Sequence, residues 1–309
     1  MSEKVFTTID QQIDILRSRG LDVSDDDKID YAKRVLSECG YYNLVNGYSK
    51  LFLAEAQFFK EGTALNEIHA LYQFDRIIRD IFFKYILKVE VHVKSLISYY
   101  FSERHGHQNY LIYPNFNTKL KDAPNKIMSL IAEVQKQISG KTSDPSIAHY
   151  LNTHGYIPLW VLMNILTFGT VSKFFSLMLQ DERQNVARSL KVRDNELESI
   201  LSYISAVRNF CAHGNRLYCF RSKKPLIDLK YHHALNLPKS SHNEYEYGKR
   251  DLFAALLSLR CLLSNNDYSR LEKELFRSIG TLKKKISVIS IEDIFSELGF
   301  PEKWRGIKK

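Results

Sequence analysis

From Leu65 to about Arg104 the chain runs without a single glycine or proline, and this stretch limits the available folds more than any other. Its apolar residues, Ile68, Leu71, Tyr72, Ile78, Phe82, Tyr85, Ile86, Val89, Val93, Leu96 and Ile97, recur at the spacing of a helix face rather than at the alternation of a strand. A turn-rich β architecture needs frequent Gly and Pro, and the whole chain has 13 Gly and 7 Pro in 309 residues. The reading that follows is an all-α bundle.

Shorter helices are expected on both sides. Thr8, with Gln11 three residues on, makes an N-cap for a helix through Ile9, Ile13 and Leu16 that stops at Gly20. Asp25 to Asp27 cap a second helix through Ile29, Ala32, Val35 and Leu36, so a helical hairpin opens the chain. The aromatic segment Tyr41, Tyr42, Asn43, Leu44, Gly47, Tyr48 is expected as a turn or bent helix packed on the core. Gly106 to Pro124 reads as a loop, Ile127 to Ile138 as a helix, and Gly140 to Pro145 as a break. Pro158 opens an apolar helix through Leu159, Leu162, Ile165 and Leu166, with Gly169 marking its end or a close contact. Val171 to Leu179 and Glu196 to Ala212 are helical again. Lys223 to Gly248 is an irregular excursion before last helices near Leu252–Leu263 and Leu271–Phe276. The expected organisation is an N-terminal hairpin region over 1–60, a helical core over 61–222, the basic excursion over 223–250 and C-terminal helices over 251–309.

The most apolar runs, Leu159 to Val171 and Leu252 to Leu263, are too short and too interrupted to span a bilayer. Met1 to Asp14 lacks the apolar core of a secretory signal, so a cytoplasmic location is expected, with no membrane contact. Cys39, Cys211, Cys219 and Cys261 include no CxxC pair, which argues against a disulfide scaffold and a zinc ribbon and fits a reducing compartment. The balance of 44 Lys plus Arg against 35 Asp plus Glu, a formal charge of +9, leans toward a polyanionic partner without identifying one.

The informative run is SAVRNFCAHGNRLY, Ser205 to Tyr218. Asn209, His213 and Arg216 stand four and three residues apart and share one stripe if the helix continues; Gly214 ends the helix if it does not, leaving His213 in the last turn. There the negative helix end favours an imidazolium. Ile200, Ile204, Val207 and Cys211 form a second, apolar stripe suited to the core.

Arg208, Asn209 and His213 match the Arg, polar residue, three residues, His motif of the HEPN superfamily of helical ribonucleases, and VRNFCAHGNRLY resembles the signature of AbiD/AbiF-type abortive infection proteins. The resemblance extends upstream through Thr8 to Gly20, Tyr41 to Tyr48, and Leu71, Tyr72, Phe74, Asp75, Arg76, Arg79 to Glu90, and covers about the first 220 residues. Cys219 departs from the aromatic or polar residue such proteins often carry after RLY. The resemblance implies a HEPN-like bundle, an endoribonuclease of phage defence, and a homodimer in which two motifs form one composite site.

The groups themselves account for such chemistry. RNA supplies its own nucleophile in the 2′-OH, so cleavage needs a base, an acid for the leaving 5′ oxygen, and donors for the phosphorane charge. An imidazole such as that of His213 exchanges protons near neutral pH, a guanidinium such as that of Arg208 grips phosphate oxygens, and Asn209 orients without titrating. No metal or cofactor is required, and the products are a 2′,3′-cyclic phosphate and a 5′-hydroxyl. Arg216 is either a second phosphate contact or a surface ion pair. Lys223 and Lys224 belong to a segment, Ile204 to Arg250, with nine Lys or Arg against three Asp or Glu; it is an RNA track or a solvated loop.

Plainer readings stand beside these. Asp75, Arg76, Arg79 and Glu90 are expected as helix-surface or interhelical ion pairs bracing the motif helix, a direct role being the lesser reading. Cys211, His213 and Cys219 with His232 or His233 lack zinc-ligand spacing. His105, His107, His149 and His154 are expected in loops or on the surface, and most of the 18 Tyr and 18 Phe in the core. The alternative function is a non-catalytic RNA-binding or protein-interaction module, held by an antitoxin RNA or protein; handling of a small nucleotide ranks lower because no Gly-rich phosphate loop is present.

Overall fold

A computed structural model describes residues 5–307. Among them there are thirteen α-helices and no strand, only three isolated bridges, so the chain is all-α. No helix among the described residues is long and apolar enough to cross a membrane. The chain divides into two compact units.

The first unit comprises the chain up to Ile81, Arg216–Phe220 and Arg270–Glu302. It opens with the expected hairpin of α1 (Ile9–Ser18) and α2 (Asp26–Cys39). Thr8 and Gln11 close a capping box on α1, and the Asp25 carboxylate accepts the Lys28 N–H at the start of α2. The bent aromatic element is a π-helical turn, Tyr42–Asn46, with Leu44 and Val45 buried. The 41-residue α3 (Leu65–His105) begins here with Ile68, Leu71, Phe74 and Ile78 inward. Buried Glu67 accepts from the backbone N–H groups of Ser287 and Val288 and from the Ser287 hydroxyl, which pins the segment ahead of the last helix, Ile291–Leu298.

The second unit comprises Phe82–Asn215, Arg221–Ser269 and the chain from Lys303. It holds the rest of α3, then α4 (Ala123–Ser139), α5 (Pro145–His154), α6 (Leu159–Ile165), α7 (Phe168–Leu177), α8 (Gln180–Ser189), α9 (Asp194–Ala212), α10 (Lys230–Ala234) and α11 (Leu252–Leu262). α9 packs against α7, α8 and α11. Every residue of α11 is buried, including Arg260, whose guanidinium donates to Ile307 O and Asn265 Oδ1 and lies over the Tyr268 ring. Phe101, Phe116 and Phe174 form an aromatic knot between α3 and α7.

Several expectations change. Gly169 neither ends α6 nor makes a close contact: Leu166 caps α6, and Gly169 lies in the first turn of α7, where an added Cβ would have ordinary room. Pro145 begins α5 rather than only breaking the chain. α8 is an additional helix, α12 (Asn265–Lys283) is far longer than Leu271–Phe276, and α13 (Ile291–Leu298) follows it. His105 closes α3 half-buried, with Nε2 2.6 Å from Oε1 of Glu182, whose carboxyl is pushed up to about 7 by burial.

The excursion after Lys223 is irregular apart from α10, but it is closed. Ser222 and Leu226 N–H donate to Arg250 O and Lys249 O, and Ile227 N–H to the Ser199 hydroxyl on α9. His232 is fully buried; Leu229 N–H donates to its Nδ1 at 3.0 Å and its Nε2 lies 2.8 Å from Gly248 O. Gly248 has φ +76°, and a Cβ there would meet Leu257 Cδ1 at 2.9 Å and His232 Nε2 at 3.0 Å, so only glycine fits.

Candidate functional site

α9 carries the motif at its C-terminal end. Ile200, Ile204 and Val207 are fully buried and Cys211 nearly so, the apolar stripe expected to dock on the core. The helix ends in a Schellman arrangement: Asn215 N–H donates to Phe210 O and Gly214 N–H to Cys211 O, with Gly214 at φ +70°. His213 is therefore the C-cap residue, at φ −86° and ψ 5°. The single stripe through Arg216 does not form, because the left-handed glycine turns the chain away first.

Asn209 and His213, four residues apart, remain together on an exposed face of the helix end. Neither side chain has a hydrogen-bond partner among the described residues. Arg208 points to a neighbouring face and is only 27% exposed. Its Nε lies 3.4 Å from Glu90 Oε2 on α3, and its guanidinium carbon sits 5.6 Å from the Phe83 ring centre. The Nε side is thus tethered, while both terminal nitrogens are without a hydrogen-bond partner among the described residues. Glu90 is 6% exposed, and its other oxygen is 2.7 Å from Lys94 Nζ. Lys94 Nζ also donates to Leu166 O at 2.8 Å.

Glu90 is therefore an interhelical brace for the motif, as expected, whereas Asp75 pairs with Arg79 along α3 and Arg76 lies over the Tyr72 ring. Lys94 and Phe83 were not anticipated. Lys94 stands at i+4 from Glu90, a spacing visible in the sequence, whereas nothing local marks Phe83 as the neighbour of Arg208.

Arg216 belongs to the first unit, where its Nη1 donates to Gly47 O at 2.8 Å and Asn46 O at 3.4 Å. Two residues on, Tyr218 N–H donates to Asp75 Oδ1 at 2.6 Å, and its ring stacks on Tyr48. The Tyr48 hydroxyl donates to Asp75 Oδ2 at 2.8 Å. Asp75 is fully buried, and burial pushes its carboxyl pKa up against the opposing pull of these hydrogen bonds. Burial likewise pushes the Tyr48 and Tyr218 phenols up, so both remain hydroxyl donors or acceptors. Blocks far apart in sequence, Tyr41–Tyr48 and Leu71–Arg79, thus meet around Asp75 and hold the chain just after the motif.

Lys223 and Lys224 are exposed in the second unit. Their backbone carbonyls are held by Arg250 Nη1 and the Ser222 hydroxyl, leaving the ammonium groups at the surface. Cys211 is buried whereas His213 is exposed, and both ring nitrogens of His232 engage backbone. Among the described residues no group of three or more His, Cys, Asp or Glu is placed to hold a metal ion.

No curated protein and no solved structure matches the chain. The family model for Abi-like proteins matches residues 34–219, more than half of the chain, and encloses the Asp75 cluster, Glu90 and the whole of the Arg208–His213 motif. The matched span holds both the motif helix and its braces, and the chain is a member of the Abi-like protein family.

Proposed function

We propose that this protein is a metal-independent endoribonuclease whose reacting groups are Arg208, Asn209 and His213. Its family points to abortive infection, a defence against phage, and the sequence motif resembles that of HEPN ribonucleases. The observation that carries the reading is the contrast at the end of α9: an arginine tethered through Nε with its phosphate-binding fork uncommitted, beside an exposed histidine and asparagine.

In the reaction the RNA 2′-oxygen attacks the adjacent phosphorus while a base takes the 2′-OH proton. The bond from phosphorus to the 5′ oxygen breaks, and an acid returns a proton to that oxygen. Arg208 stabilises the charge on the phosphorane oxygens and Asn209 orients the imidazole or the substrate. One chain holds one such histidine, so a homodimer with two facing motifs separates the acid and base roles. Arg216, Lys223 and Lys224 attract the phosphate backbone. An antitoxin RNA or protein would restrain the activity by covering this face, and the cytoplasm supplies the substrate.

The test is incubation of purified protein with total RNA in EDTA, with His213→Ala alongside. Wild type yields fragments ending in 2′,3′-cyclic phosphate; the variant loses about 10² to 10⁴ in rate while its melting is unchanged. Charge reversal at Lys223 and Lys224 weakens binding at moderate salt. Cleavage that requires a divalent ion and survives His213→Ala refutes the mechanism. RNA retention without cleavage by either protein supports instead the non-catalytic module, in which Glu90 neutralises Arg208 as a structural pair.

A further inference from the structure

The second unit displays an array of rings that the motif does not use. His107 lies 5.5 Å from Trp160 and 5.1 Å from Tyr156, Tyr156 lies 6.0 Å from His154, and His154 lies 5.5 Å from Tyr150 and 6.0 Å from His149. The six rings come from the loop after α3, from α5 and the link that follows it, and from the start of α6. They are not core: Trp160 is 51% exposed, and His149 and His154 are exposed as well. A large aromatic left half in water is costly unless something covers it.

The charge of the segments that carry the array indicates what does. Between Arg104 and Lys121, and again between Pro145 and Gln180, the chain has no Asp or Glu, while it has Lys119, Lys121 and Lys173; Arg104 itself is taken up by Asp181 and Glu182. The neighbouring Asp144 is occupied in accepting the Ser146 and Ile147 N–H groups at the start of α5. Ring-rich segments that carry no carboxylate of their own, on a chain of net charge +9, suit a polyanion that presents flat apolar faces. The rings are tilted against one another by 37° to 83°, so they offer alternating faces and edges rather than one continuous stack. That pattern fits splayed, unpaired bases and not the closed stack of a duplex.

We infer that the array His107, His149, Tyr150, His154, Tyr156 and Trp160 is a docking surface for single-stranded RNA, with a base stacked on Trp160. The identification of the ligand with the substrate rests on the ribonuclease reading; the binding itself does not.

The chain has two tryptophans, and Trp304 is 3% exposed, so iodide quenching of fluorescence reports on Trp160. The probe is an unstructured, uridine-rich RNA of about 20 nucleotides, long enough to cross several rings, titrated into the His213→Ala protein so that it is not consumed. Saturation is expected to lower iodide quenching at least about twofold. Trp160→Ala weakens binding about tenfold or more and Trp160→Phe restores most of it, as stacking energies imply; binding of a duplex of the same length is the same for Trp160→Ala and its parent. Unchanged iodide access at saturating RNA, or a Trp160→Ala affinity within about twofold of its parent, overturns the inference, and the surface would then be assigned to a protein partner. A wild-type protein that protects Trp160 on RNA binding yet never cuts RNA would refute the ribonuclease reading and leave this one standing.

Discussion

Removing the Glu90 carboxylate tests the energetic core of the site. It neutralises two cations from 6% exposure, Lys94 at 2.7 Å with 12% exposure and Arg208 at 3.4 Å with 27%. Breaking a buried pair by deleting one partner costs about 3–5 kcal/mol. Two features lower that here. Lys94 keeps its bond to Leu166 O, and Arg208 retains enough water contact that its share is at most about 1 kcal/mol. Glu90→Ala should therefore cost about 2–3 kcal/mol. At about 2–4 °C per kcal/mol for a body of about 150–250 residues, the midpoint falls by roughly 5–10 °C. Thermal melting followed by circular dichroism, on wild type, Glu90→Ala, Lys94→Met and the double variant, reads both the loss and the coupling. A coupling of at least about 1 kcal/mol is expected. A Glu90→Ala cost under about 0.5 kcal/mol, or strict additivity, would show that Glu90 is not the anchor of this network.

Two further outcomes follow from the structure. Gly214→Ala forces an L-residue to φ +70° with nothing within 4 Å of the new Cβ, so the cost is backbone strain alone, about 1 kcal/mol by urea unfolding, and Gly214→Asn should cost less. Asp251, buried and accepting the Gly248 and Ala254 N–H groups, has its carboxyl pushed up to about 6 by burial. Because the folded form holds its proton more tightly than the unfolded form, the stability this group contributes is full below about pH 4 and is lost as pH rises through about 6. Asp251→Asn should flatten the stability curve across that interval, and an unchanged slope would refute the assignment.

Local signals carried far in this chain. The uninterrupted period from Leu65 marks α3 almost to its last residue, and the segment from Ile200 to Gly214 places both the apolar stripe of α9 and its glycine stop. Misreadings occurred where one residue type serves two ends. Pro145 breaks the preceding segment and also begins α5, since a proline at the first helical position sacrifices no hydrogen bond. The polar α8 buries Glu182 and Arg183 among its inward residues, so its inward face does not read as an apolar stripe. Arg208 and Glu90 are 118 residues apart; their pairing comes from packing of α9 beside α3, which no local spacing encodes. The same holds for the convergence of Tyr48, Asp75 and Tyr218.

The buried ring of His232 has one further consequence. Because Leu229 N–H donates to Nδ1, that nitrogen must present its lone pair, and the single ring proton is confined to Nε2, facing Gly248 O. Burial, which pushes the ring's pKa down, keeps it in that form. A proton so enclosed trades with solvent deuterium only when the segment joining Leu229 to Gly248 lifts away. Its resonance is accordingly a clock for that local opening, one that runs separately from global unfolding and that times how often the basic segment behind Lys223 and Lys224 comes loose.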